Sequence, residues 1–192
     1  MRNVLVLGAS GNIAKRVIDI LVTDKNINLT LFLRKKSRLR NKDASGCRIV
    51  EGDVLNYDQL KDAIVGQDIV YVNLTGDLET MAKNIVKAME ENGVKRIIAI
   101  SSIGIYDTPM RPVLKPYRRL ADIIEASALE YTILRPTWFT DEDEVDFELT
   151  KKGDPEKGSV ISKESLATFI VQLIQSPEKD VRENLGINKP NS

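Results

Sequence analysis

The sequence contains no histidine, which removes the commonest general base and the commonest zinc ligand together. Proton chemistry therefore falls to Tyr, Lys, Asp, Glu, Ser or a cofactor. Cysteine is nearly absent: Cys47 stands alone, so no internal disulfide can form, and its place before Ile49 and Val50 reads as a small strand hydrophobe rather than a redox centre. Neither sign of charge is in excess, with 28 Lys and Arg against 28 Asp and Glu. That balance argues against a nucleic-acid partner and against a basic membrane-binding face. The longest apolar runs are strand-sized, and no charged, apolar and small-residue leader precedes the first strand. A soluble, cytoplasmic protein without membrane association is the expectation. No spacing of carboxylates or thiolates suggests a metal: the densest acidic run, Asp141-Glu142-Asp143-Glu144 with Asp146 and Glu148, is consecutive rather than convergent and reads as a solvated helix start.

What is present is alternation. A chain of 192 residues fits one domain, burying about 70% of its unfolded surface. Apolar, β-branched runs near 3–7, 28–33, 47–51, 68–73, 95–100 and 130–135 alternate with helical stretches near 12–23, 57–64, 78–92, 116–127 and 164–175. This predicts the α/β class: a single doubly wound domain over 1–192 with a mostly parallel central sheet and a small C-terminal, substrate-side portion at about 136–185. Asn56 with Gln59 reads as a capping box, Ser162 as a helix cap and Gly93 as a helix stop. Met81, Ile85, Ala88 and Met89 form a core stripe, and the tail 188–192 reads as frayed.

The first strand, Val4-Leu5-Val6-Leu7, runs straight into Gly8-Ala9-Ser10-Gly11-Asn12-Ile13-Ala14. Gly8 permits a tight turn, Gly11 lets a pyrophosphate approach the backbone, and Ala14 lets the helix lie close to the strand. Ser10, Gly11, Asn12 and Ile13 then face the phosphates with unpaired helix N–H groups. In such sheets ligands lie beyond the carboxyl ends of the strands. After the second strand comes Arg34-Lys35-Lys36, where an NAD site would place an acid for the ribose 2′-hydroxyl. Arg34 is the candidate clamp for a 2′-phosphate, with Lys35 or Arg38 assisting, so NADP(H) is the expected cofactor and NAD(H) the alternative. Asp53 and Val54 follow the third strand as candidate adenine contacts, with a plain turn as the other reading. Asn73 and Gly76 end the fourth strand beside the cofactor, and Ser101 and Ser102 end the fifth at its nicotinamide end or as caps of the loop backbone.

Taken in order, Gly8-x-x-Gly11-x-x-Ala14, Gly52-Asp53-Val54, Ser101-Ser102-Ile103-Gly104 and Tyr131-Thr132-Ile133-Leu134-Arg135-Pro136 resemble the atypical short-chain dehydrogenase/reductases, especially the short NAD(P)H-binding and NmrA-like members. The resemblance spans essentially the whole chain. It implies a Rossmann fold, with nicotinamide near Ser101, Ser102 and Pro136-Thr137-Trp138-Phe139. The Tyr-x-x-x-Lys pair of the wider superfamily is missing: Tyr117 is followed four residues later by Ala121, Tyr106 by Met110, and Lys115 precedes Tyr117 by two. Arg118 or Arg119 is a candidate ribose ligand in place of the lysine, although arginine stays protonated. Ser102, Tyr106 and Tyr117 are the candidate catalytic residues; the tyrosines otherwise pack under the loop 103–116. Trp138 is either the floor of a pocket or a helix-to-sheet packing residue.

Two functions fit these residues. One is an oxidoreductase that passes hydride from NADP(H) to a small acceptor such as a quinone, flavin or carbonyl. The other is a non-catalytic redox sensor whose bound cofactor alters affinity for a regulatory protein partner, or for a second copy in a homodimer. An isomerase would need a proton-transfer pair that the sequence does not offer.

Overall fold

Strict alternation in the first strand divides the molecule in two. Within β1 (Arg2–Leu7), Val4 and Val6 face one core while Leu5 and Leu7 face the other, all four wholly buried. The computed structural model describes residues 1–39 and 46–192. After β1 come α1 (Asn12–Leu21), β2 (Ile27–Leu33), β3 (Arg48–Glu51), α2 (Tyr57–Ile64), β4 (Ile69–Val72), α3 (Leu78–Glu91), β5 (Arg96–Ile100), α4 (Lys115–Glu125) and β6 (Glu130–Pro136). The chain finishes with β7 (Trp138–Thr140), β8 (Glu148–Lys151), β9 (Val160–Ser162), α5 (Lys163–Gln175) and β10 (Glu183–Asn188).

Eight strands form one sheet in the order β3-β2-β1-β4-β5-β6-β10-β8, parallel except for β8. The order reverses beside β1, between β2 and β4, and a crevice opens there at the carboxyl edge. Helices α1 and α5 cover one face with β1, β2 and β10; α2, α3 and α4 cover the other. Their apolar stripes dictate this, as in α3, which buries Leu78, Met81, Ala82, Ile85, Ala88 and Met89. Among the described residues no helix is long and apolar enough to cross a membrane.

Several sequence expectations need correction. The acidic run starts no helix: residues 141–147 are coil leading into β8, because Asp141, Glu142 and Glu144 are drawn to Lys163 and Lys189. The tail is not frayed either. Asn188 is buried in β10, Lys189 N–H donates to Val160 O at 2.8 Å, and Ser192 Oγ accepts from Ser159 N–H at 3.0 Å. Asn56 caps α2, but Gln59 does not return to it; its side-chain oxygen accepts from Asp53 N–H at 3.0 Å. Cys47 is half-buried just before β3 rather than within it, packed against the α1/α5 core.

β6 ends in a buried polar network that sets the loops around it. Arg135, 1% exposed, donates from Nε to Glu156 at 2.7 Å and from Nη1 to the Asn184 carbonyl at 2.8 Å. The second Glu156 oxygen accepts from Gly104 N–H at 2.8 Å, so one carboxylate joins the loop after β5 to the strand beside it. Removing one partner of such a pair strands the other's charge. Arg135→Met is expected to lower stability by about 3 kcal/mol, seen as a melting temperature roughly 6–12 °C below wild type. A melt unchanged within about 2 °C would show that the network contributes no net stability.

Candidate functional site

The turn between β1 and α1 is built around a close crossing. Gly8 has φ +82°, and a Cβ there would stand 2.1 Å from the Asn73 carbonyl oxygen; one on Gly11 would stand 2.3 Å from the Asn73 side-chain nitrogen. Gly8 is thus required by the chain itself, whereas a side chain at Gly11 would only have to displace the flexible Asn73 amide. The space above Gly11, read from sequence as clearance for a pyrophosphate, is held in part by the Asn73 amide. Gly8 and Ala9 N–H both donate to Phe32 O, and Gly11 N–H returns to Gly8 O at 2.9 Å. The first intrahelical bond of α1 is Lys15 N–H to Gly11 O, so the N–H groups of Asn12, Ile13 and Ala14 have no partner within the helix.

The other helix starts sharpen this point. Asn56, Asp77 and Ser162 cap α2, α3 and α5 with side-chain oxygens, whereas Gly11 at α1, like Leu114 at α4, supplies none. An anion at the start of α1 therefore meets open donors and the positive end of the helix dipole.

A cavity of about 420 Å³ lies over this turn. Its wall includes Gly8, Ser10, Gly11, Asn12, Ile13, Arg34, Asp53, Val54 and Asn73, gathered from the ends of four strands. Arg34 and Arg38 project at the β2 end, and Asp53 is the one carboxylate among the described lining residues. Asp53 is fixed locally: its Oδ1 accepts from Leu55 N–H at 3.0 Å and its N–H is taken by Gln59. Gly52 approaches Phe32 so closely that a Cβ would lie 2.7 Å from the ring, which brings the β3 turn down onto the cavity floor. Open N–H donors, flanking guanidinium groups and an elongated crevice fit a dinucleotide.

Other candidates lie outside this wall. Lys35 precedes a short 3-10 turn and its backbone carbonyl accepts from Arg38 N–H, while Gly76 serves backbone geometry, with φ +109° and open space around it. Ser101 is buried and its Oγ donates to Tyr117 O at 3.1 Å; the Ser102 hydroxyl is turned onto Ile103 O. Pro136 completes β6 and Tyr117 packs against the α2–α4 core. Tyr106 is drawn away altogether: its hydroxyl accepts from Asn184 Nδ2 at 2.8 Å, and Arg118, Lys152 and Arg135 lie 4.6, 4.9 and 5.4 Å from its ring centre. Burial, followed by the Glu125 charge, pushes this phenol above its ordinary range, so it is not a ready proton donor or phenolate. Arg118 pairs with Asp122 at 2.7 Å, and Arg119 approaches Glu79 at 3.9 Å. Trp138, at the start of β7, is 68% exposed, and its neighbour Phe139 reaches the cavity.

Sequence reasoning missed Lys163 as a lining residue, whereas Phe139, expected near the nicotinamide, and Leu74 and Thr75, after the fourth strand, do line the cavity. The strand-end rule covers Leu74 and Thr75. Nothing local marks Lys163, which reaches the cavity only because α5 packs along α1.

Comparisons agree with this geometry. Residues 8–177 match the NAD(P)H-binding family. An isoflavone reductase homolog of Nicotiana tabacum is 26% identical over 221 aligned positions, spanning 97% of this chain and 68% of that protein. A Rossmann-fold NAD(P)-binding family protein from Shigella flexneri superposes with TM-score 0.93 at 49% identity, covering 100% of this chain and 95% of the other. A short-chain dehydrogenase/reductase from Veillonella parvula, solved in complex with NADP, has the same fold, with TM-score 0.90 at 23% identity over 99% of this chain and 95% of the other. The chain belongs to the NAD(P)H-binding family and has the Rossmann fold, and its relatives are consistent with the atypical short-chain dehydrogenase/reductase, NmrA-like group.

Proposed function

We propose that this protein is an NADP(H)-preferring oxidoreductase that presents the nicotinamide to a small acceptor such as a quinone, flavin or carbonyl. The observation that carries the cofactor preference is the pair Arg34 and Arg38 on the cavity wall at the end of β2, where an NAD-selective site would hold an acid. A guanidinium there takes a 2′-phosphate in bidentate fashion and offers a ribose hydroxyl no acceptor. In this reading the N–H groups of Ser10, Asn12 and Ile13 hold the pyrophosphate, Asp53 and Val54 flank the adenine, and Asn73 borders the middle of the cofactor.

Bound reduced nicotinamide supplies the hydride. The chain's part is to fix that ring at the strand ends beside Asn73, Thr75 and Phe139 and to leave one face open to the acceptor. Proton delivery is assigned to water, because the Ser102 hydroxyl is turned onto Ile103 O and Tyr117 packs against the α2–α4 core. Tyr106 is given no proton-transfer role, since its hydroxyl is committed to Asn184. An acceptor that protonates readily from solvent suits such a site better than an alcohol or an unactivated ketone. The reductase homolog of Nicotiana tabacum supports reduction as the direction of chemistry.

Two measurements test this reading. Arg34→Asp should weaken NADPH by one or two charged contacts, each about 1.5 to 3 kcal/mol, while NADH binding changes much less. Equal losses for both cofactors in calorimetry would remove Arg34 as the phosphate clamp. Oxidation of NADPH by the wild-type protein, followed by reduced-nicotinamide absorbance, should depend on an added quinone, flavin or carbonyl acceptor. Tight NADPH binding without acceptor-dependent oxidation would instead identify a cofactor-responsive regulatory protein.

A further inference from the structure

Lys163 is a cavity residue that neither the glycine turn nor the ends of the main-sheet strands account for. It occupies the first position of α5, whose cap Ser162 accepts from Ser165 N–H at 2.9 Å. A cation at a helix N-terminus is electrostatically misplaced, because the positive end of the helix dipole lies there. The open start of α1 borders the same cavity and adds a second positive end. Arg16, about one turn into α1, adds another charge.

Two carboxylates oppose these charges. Glu164 accepts from Arg16 at 3.1 Å. Asp141 lies 2.6 Å from Lys163 Nζ and 3.5 Å from Arg16, so one carboxylate serves two cations. Their settings differ sharply: the Lys163 side chain is 18% exposed in the cavity wall, whereas that of Asp141 is 75% exposed on the coil between β7 and β8. The cation belongs to the cavity wall and the carboxylate approaches it from solvent, the arrangement of an exchangeable counter-ion.

We propose that Lys163 pairs with the pyrophosphate of the bound dinucleotide, and that Asp141 is the counter-ion the nucleotide displaces. This rests on the cavity being the nucleotide site and adds what the glycine turn lacks, a full positive charge. Lys163 is a binding residue that exchanges one anion for another, and Asp141 sets the cost of the exchange.

The test is calorimetric titration of the full chain with NADPH, with ADP-ribose, which keeps the pyrophosphate but lacks nicotinamide, and with adenosine 2′-monophosphate, which has no pyrophosphate. Wild type, Lys163→Met, Asp141→Asn and the double variant are compared, with thermal melts alongside. Lys163→Met should lose about tenfold in affinity for the first two ligands and stay within about twofold for the third. Asp141→Asn should bind the first two more tightly by about two- to fivefold, a gain that disappears when Lys163 is also Met. Unchanged NADPH affinity in Lys163→Met, an equal loss for all three ligands, or a loss in Asp141→Asn would each overturn the proposal. If Lys163→Met fails to fold, the sign of the Asp141→Asn effect decides alone. A wild-type chain that binds none of the ligands overturns the nucleotide reading along with this one, whereas wild-type binding that Lys163→Met leaves intact overturns only the assignment of Lys163.

Discussion

Everything at the carboxyl edge depends on how near the β4 end passes to the β1 turn. The Asn73 carbonyl fills the place where a side chain on Gly8 would be, so that residue must be glycine even before any ligand is considered, and the Asn73 amide crowds the space above Gly11. Because Gly11 has no side-chain oxygen, α1 begins without a cap. A constraint of internal packing thus produces an open row of N–H donors, and the binding site follows from the fit of two loops. The crossing also fixes the base of the cavity, because the same Gly8 N–H group ties the turn to Phe32, whose ring sets the approach of Gly52 and hence of Asp53.

The six-strand core and its helices could be read from the sequence because each strand announces itself twice: by β-branched content and by an alternation that assigns residues to two faces. The last strand announced itself only faintly, by the short alternation of Leu185 and Ile187. In β10 (Glu183–Asn188) two asparagines are buried; Asn184 binds Arg135, Tyr106 and Glu125, and Asn188 binds Glu148. Buried amides satisfied by distant partners look, in a sequence, like a loop. β8 was hidden for a related reason, since Leu149 is exposed while Thr150 is buried, the reverse of the hydrophobic expectation. The short pair β7 and β9 gave too little alternation to detect.

The site shows the same division. Residues placed by a strand end could be found from order alone, since the chain that forms the strand also delivers the next residue to the edge. Lys163 could not, because its position comes from packing between segments far apart in sequence. Tyr106 illustrates the converse. It follows a strand end and carries the right functional group, yet three cationic side chains and Asn184 claim its ring and hydroxyl. Local order predicts proximity to the edge; competition among buried polar groups decides orientation.

The outer strands of the main sheet carry a further consequence. β3 and β8 are each four residues long, and their terminal residues, Arg48 and Glu51 in one and Glu148 and Lys151 in the other, are charged. A stray strand trying to extend the sheet would find few free backbone groups on either margin, and would have to lie against ionised side chains. The main sheet is thus guarded on both flanks against runaway self-association while its carboxyl edge stays open.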